Sequence, residues 1–329
     1  MTPSRPFAFD DKESLDNYCE RMEWFQTRAT EILPLDKGLT FELALAAPND
    51  IGGVDARRSP IGRIQAMATY VLVKALQQGP QYQSQVWLAR PTSSDPSTTI
   101  ELVLKFIIPS HLEMPGFDVV SENCVNLAEY TFPDDIVAYQ VAAYQALGDL
   151  QGITVPYFYG VNEVSVPWGE PGVQVLALEY IHGPRMTEVA TVVDSEDSAP
   201  SELIKYRDYD TYLALLETGI STLLQAHARG IVHCDVRDAN VLIDVAHNQV
   251  VFLDWTNDAP PHLAGIGCEH DPKLNMSIDI VQLARLFEYP SLHAKRIYEY
   301  FDSRFPWLGV FWGRPRAPDG SLLYPELSL

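Results

Sequence analysis

The segment Gly230–Thr256 (GIVHCDVRDANVLIDVAHNQVVFLDWT) holds the residues best suited to chemistry. His233-Cys234-Asp235 is followed five residues later by Asn240, and Asp254 lies fourteen residues beyond that. A carboxylate at the base of a loop can take the proton that leaves a hydroxyl group. A second carboxylate and a side-chain amide offer hard oxygen donors, the set that suits Mg²⁺. Asn240 and Asp254 end two adjacent apolar runs, Val241–Asp244 and Val250–Leu253, so a short hairpin would let both converge on one metal pair.

Alternation and periodicity give the elements that must hold these residues. Apolar residues from Asp11 to Leu33 fall at helical spacing (Leu15, Tyr18, Met22, Phe25, Ile32), and an irregular Pro-, Gly- and Asp-rich stretch follows to about Pro60. Residues 1–66 are thus expected to form an N-terminal extension. Strands are expected over Thr69–Leu76, Ser84–Ala89 and Ile100–Ile108, the last (IELVLKFII) almost continuously apolar as in a well-buried strand. Residues 109–133 read as an insertion. A helix starts near Ile136, and Val155–Val164 and Val173–Tyr180 read as two more strands. Beyond a polar acidic loop at 194–202 the pattern turns helical, with Tyr212–Ala228 and Ser277–Phe287 as helices around the two short strands. The plan is α+β, with a β-rich lobe over 67–181 and a helical lobe over 182–329.

The spacing His-x-Asp-x-x-x-x-Asn, followed by a hairpin and Asp254, resembles the catalytic loop and metal-binding segment of the protein-kinase-like superfamily. More closely it is similar to fungal kinase-like proteins and small-molecule phosphotransferases of that fold. Supporting phrases are Leu150-Gln151-Gly152, Val155-Pro156, Tyr159-Gly160 and Leu178-Glu179-Tyr180-Ile181-His182-Gly183, and the resemblance runs from about Tyr70 to Phe287. It implies a bilobal kinase-like fold with a shortened helical lobe, and ATP and Mg²⁺ as cofactors. Asp235 would orient the acceptor hydroxyl, while Asn240 and Asp254 would hold metal. Lys105 would grip the nucleotide phosphates, with Lys74 as its rival. Val86, Val103 and Leu242 would sandwich the adenine, and the Glu179–Ile181 backbone would bond its edge. Gly79 and Ser84 belong to the phosphate-covering turn. Arg237 stands where the family commonly places a phosphate-neutralising cation; a surface salt bridge is the equal alternative. His233 would pack beneath the loop, and Asp279 would hold the loop's backbone.

The chain departs from the family pattern at several points. The phosphate turn (Gly79-Pro80-Gln81-Tyr82-Gln83-Ser84) has one glycine, so fewer amides can approach phosphate, and the Ser84 hydroxyl is a candidate substitute. Gln140 stands where a lysine-pairing Glu is usual; Asp135, Glu129 and Glu122 are the replacements to consider. Cys234 replaces an Arg that pairs with phosphorylated loops, and Trp255-Thr256 replaces Phe-Gly after Asp254. Two functions remain. One is an ATP- and Mg²⁺-dependent phosphotransferase acting on a hydroxyl; the short segment after Asp254 tips the acceptor toward a small molecule, with a protein hydroxyl as the alternative. The other is a catalytically impaired pseudokinase acting as a nucleotide- or protein-binding module.

Composition bounds the partners. The 329 residues carry 44 Asp+Glu against 23 Lys+Arg, a formal net charge of −21, with only seven lysines. Such a surface repels nucleic-acid backbones and anionic lipid, so neither is an expected partner. Cys19, Cys124, Cys234 and Cys268 are scattered, and Cys268-Glu269-His270 offers too few ligands for a closed metal site. With no apolar run of about 18 residues and no signal-like start, a cytoplasmic location is expected, with the nucleus not excluded.

Overall fold

The computed structural model describes residues 12–46, 67–79, 82–92, 101–114, 116–117, 125–126, 132–195, 202–255, 272–288 and 291–306. Chain contacts divide it into two compact units, with the change at Tyr180/Ile181.

The first unit is built on a six-stranded antiparallel sheet. Its strands are β1 (Thr40–Ala44), β2 (Met67–Gln77), β3 (Ser84–Pro91), β4 (Leu102–Ile107), β7 (Phe158–Glu163) and β8 (Gln174–Glu179). They lie in the order β1-β2-β3-β4-β8-β7. A two-stranded ladder, β5 (Gly116–Phe117) with β6 (Val125–Asn126), stands apart. Side chains alternate across a strand, so each strand feeds two cores. Leu102, Leu104 and Phe106 of β4 join Trp87, Ala89, Val175 and Ala177 in the larger one. Ile107 and Leu176 point the other way and pack with Val137 of helix α2 (Pro133–Ala146). The sheet's two edges also meet. Ala46 N–H donates to the Tyr159 carbonyl at 2.8 Å, and the Asn162 side chain bonds both the N–H and the C=O of Ala44.

Described residues of the expected N-terminal extension, 1–66, pack on this unit. Helix α1 (Lys12–Thr27) puts Tyr18, Met22 and Phe25 into the larger core, and β1 adds Phe41 and Leu43. TFELA buries only alternate residues at a sheet edge, so within a polar stretch it gives little apolar signal.

The second unit is mainly helical: α3 (Met186–Asp194), α4 (Tyr209–Ala228), α5 (Pro272–Glu288) and α6 (Ser291–Arg304), with the hairpin β9 (Val241–Asp244) and β10 (Gln249–Phe252). Helix α4 starts where Asp208 accepts the Thr211 N–H at 2.9 Å, an N-cap that satisfies one orphan donor. It ends at Gly230, whose φ of 75° suits a residue without Cβ. Among the described residues no helix is long and apolar enough to cross a membrane.

Candidate active-site residues

In the second unit the loop His233–Asn240 is tied down from below. Asp279 of α5 has no exposed surface. Its Oδ2 accepts the His233 backbone N–H and its Oδ1 the Cys234 N–H, each at 2.8 Å. The buried His227 ring on α4 meets Asp279 Oδ2 at 2.8 Å, and Gln282, one turn along α5, accepts the Val236 N–H at 3.0 Å. His233 packs against Trp255 and Phe252, with Nε2 at 2.8 Å from the Leu253 carbonyl oxygen. Asp279 and His233 therefore stand where the sequence placed them. His227 and Gln282 were missed. His227 reads as one more member of the α4 stripe, while Gln282 was findable as the residue three positions after Asp279 on the same helix face.

Asn240 links to the candidate base. Its Nδ2 donates to Asp235 Oδ2 at 2.8 Å and to the Asp235 carbonyl at 3.0 Å. With its donor committed, the side chain's Oδ1 is the group that suits a hard cation. Arg237 Nε lies 3.0 Å from Asp235 Oδ2, both side chains largely exposed, so the surface-pair geometry is realised. Asp254, half-buried, holds a left-handed backbone at φ 61°, as Cys234 does at 60°. For residues with a Cβ this conformation is uncommon and persists where the surroundings impose it, often at functional sites. Nothing in the identity of Cys or Asp announces it. Leu242, half-buried on β9, faces Val251 in the hairpin and bridges to Arg185. The two oxygen-bearing residues Asn240 and Asp254 fit a Mg²⁺ ion by the chemistry of their donors.

In the first unit Lys105, Val103 and Val86 share one sheet face. Lys105 lies on β4, a central strand, opposite Val86 on β3 and Leu176 on β8. It is buried, and its Nζ donates to Gln140 Oε1 on α2 at 3.0 Å. Val103 is two residues along the same face, and Val86 and Val103 are both half-buried. The rival Lys74 is exposed on β2. Gly79 holds φ 124° at the start of the β2–β3 turn, where its carbonyl accepts the Tyr82 N–H. Ser84 is buried at the head of β3, its carbonyl and hydroxyl both accepting from Gln77 Nε2. Glu179 ends β8 and clasps Tyr157 twice, N–H to carbonyl at 2.8 Å and carboxylate to N–H at 3.0 Å. Ile181, buried, is the first residue of the second unit. Pro80, Gln81, Glu122, Cys124, Glu129, Thr256 and Cys268–His270 lie outside the described residues.

No protein-family model matches the chain. Over 118 residues, 36% of its length, it is 27% identical to the serine/threonine-protein kinase PknD of Chlamydia felis. Over 78 residues, 24% of its length, it is 32% identical to PknD of Chlamydia abortus. These stretches are 12% and 8% of the two proteins, so the chain spans a small part of the curated relatives it matches. Among solved structures, the Mycobacterium tuberculosis PknI kinase domain superposes with a TM-score of 0.41 at 16% identity, covering 69% of this chain and 81% of that one. The Cydia pomonella granulovirus kinase PK-1 gives 0.35 at 15% identity, covering 56% and 52%. The element order is α+β, and over part of the chain the sequence resembles serine/threonine-protein kinases. At family level the resemblance is to phosphotransferases.

Proposed function

We propose that the protein is an ATP- and Mg²⁺-dependent phosphotransferase that moves the γ-phosphate to a hydroxyl. The supporting observation is the clamped loop, in which buried Asp279 fixes the backbone beside Asp235 while Asn240 fixes its side chain. Phosphoryl transfer asks a protein mostly for positioning and charge neutralisation, and this arrangement supplies positioning. Both side-chain donors to Asp235 reach Oδ2. Among the described residues Oδ1 is left to accept the hydroxyl proton. Asn240 Oδ1 and the Asp254 carboxylate hold the metal, which when bound neutralises charge on the phosphates. Lys105 takes a phosphate oxygen, and Val86, Val103 and Leu242 take the base. The acceptor is a small molecule of the kind used by phosphotransferases of this fold, with a protein hydroxyl as the alternative. ATP turnover against Asp235→Ala and Asp254→Ala tests the reading, and turnover that survives both changes overturns it.

One observation favours a second reading. One partner of Lys105 is Gln140 of α2, a neutral amide at the position where the family pattern has a Glu, which accepts a hydrogen bond but carries no charge. A pseudokinase that binds nucleotide, or none, and works through partners would tolerate this. Thermal melting with ATP separates the two: a Mg²⁺-dependent rise supports the enzyme, and no shift at millimolar ATP supports the module.

A further inference from the structure

Helix α1 has an outer face that the phosphotransfer reading leaves unused. Its inner face is sealed into the core by Leu15, Tyr18, Met22 and Phe25. Outside, Glu13, Asp16, Glu20, Glu23 and Glu31 are all exposed and recur at spacings that return to one side of a helix. Like charges at that spacing repel, so the stripe weakens the helix that carries it. Its field reaches inward: the Cys19 thiol is pushed up by burial first, then by Asp16 and Glu23.

Beside the stripe two large apolar side chains stand exposed among polar ones. Trp24 is 53% exposed and Ile32 57%. Between them lies a notch of about 370 Å³ lined by Glu20, Glu23, Trp24, Thr27, Arg28 and Ile32. It sits where α1 passes into a π-helical turn, Arg28–Ile32, closed by the Leu33 N–H on the Arg28 carbonyl at 2.8 Å. Such turns are rare and frequent at functional sites, since the extra residue spreads neighbouring side chains apart. The Arg28 guanidinium stacks 4.7 Å from the Trp24 ring, and its buried Nε has no hydrogen-bond partner among the described residues.

We propose that this face docks a basic amphipathic helix of a partner protein. One apolar side chain of that helix enters the Trp24–Ile32 notch, and its Lys and Arg residues run along the acidic stripe. The sign of the stripe selects a cationic partner. Its length, about 25 Å at the rise of a helix, selects a helix over a short loop. An apolar anchor within a charged border is the arrangement that gives both affinity and choice of partner.

The test is fluorescence anisotropy of a labelled amphipathic Leu/Lys helical peptide with the full chain, beside a Leu/Glu peptide of the same pattern. The Leu/Lys peptide binds, and added salt weakens it. Trp24→Ala, and separately Glu20→Lys with Glu23→Lys, each weaken binding roughly tenfold or more, as loss of an anchor or of border charge should. Reversing two exposed acids elsewhere, Glu217→Lys with Glu299→Lys, leaves binding in place, which separates the stripe from the general negative charge. Circular dichroism confirms that each variant is folded. Equal binding of the Leu/Glu peptide, or full retention in Glu20→Lys/Glu23→Lys, overturns the proposal. So does self-association of the chain that Trp24→Ala abolishes, because the face then belongs to a second copy.

Discussion

Asp279 Oδ1 accepts the backbone N–H of Cys234 at 2.8 Å while Cys234 holds φ at 60°. A left-handed backbone on a residue with a Cβ costs about 1–3 kcal/mol. A hydrogen bond to a charged group contributes about 1.5–3 kcal/mol, and the His233 N–H adds a second. The clamp therefore outweighs the strain it imposes, and the residue after Cys234 is the candidate base.

Asp279→Asn tests that balance. The amide substitutes an N–H donor for one oxygen, and it would face backbone N–H groups that need acceptors. The expected loss is about 2–4 kcal/mol in chemical denaturation, and on the proposed function ATP turnover falls with it as the loop slackens. An unchanged denaturation midpoint would show that the loop keeps its shape by other means.

Gln140 provides a second test, because it offers an oxygen to the buried Lys105 ammonium at 3.0 Å. Gln140→Leu removes that acceptor while keeping much of the volume, and should cost about 1–3 kcal/mol. Gln140→Glu supplies a full negative charge at the same reach and should melt no lower than the parent. A calorimetric melt of both variants gives the order; a Leu variant as stable as the parent would show that the contact contributes nothing.

The fold was legible where one element buries a continuous apolar surface. IELVLKFII marks β4 because that strand is covered on both faces, and Tyr212–Ala228 marks α4 through its stripe. The spacing of Asp235, Asn240 and Asp254 pointed to the candidate loop through the kinase-like resemblance it carries. What stayed hidden depends on distant partners. β1 takes its register from β2, as Phe41 opposite Tyr70 shows. Glu170 is 2% exposed because Ser110 and Trp168 donate to its carboxylate, and one of those donors lies sixty residues earlier in the chain. The backbone angles of Cys234 and Asp254 are set by the clamp and hairpin rather than by residue type.

Gly183 shows how closely the chain passes the hairpin that follows Asn240. A Cβ there would lie 2.4 Å from the Ile243 carbonyl oxygen and 3.1 Å from its carbon. The next residue's carbonyl accepts the Ile243 N–H at 2.9 Å, so the two segments are pinned together at this point. Neither neighbour is a flexible side chain, and Gly183→Ala must push backbone from backbone. A loss of about 1–3 kcal/mol is expected by the measure of overpacked cores. Hydrogen exchange should find faster exchange at Ile243, and unaltered protection there would show that the crossing adapts without strain.

His111 should make the first unit sensitive to acid. It is 4% exposed, and neither ring nitrogen has a hydrogen-bond partner among the described residues. Burial lowers its pKa from 6.5 to about 4. The folded state therefore resists a proton that the unfolded chain accepts, and stability falls as pH drops from about 6.5 toward 4, where the loss is complete. The full effect is about 3 kcal/mol. Neighbouring Glu170, bonded to Ser110, works in the opposite sense: burial raises its pKa above 4.5, so its protonation on acidification favours the folded state. The parent's own acid profile mixes the two. His111→Phe removes one and keeps the other, so the difference between parent and variant stability across this window isolates the histidine. That difference should move in the variant's favour by about 3 kcal/mol as pH falls; a constant difference would mean that His111 takes up its proton without opening the core.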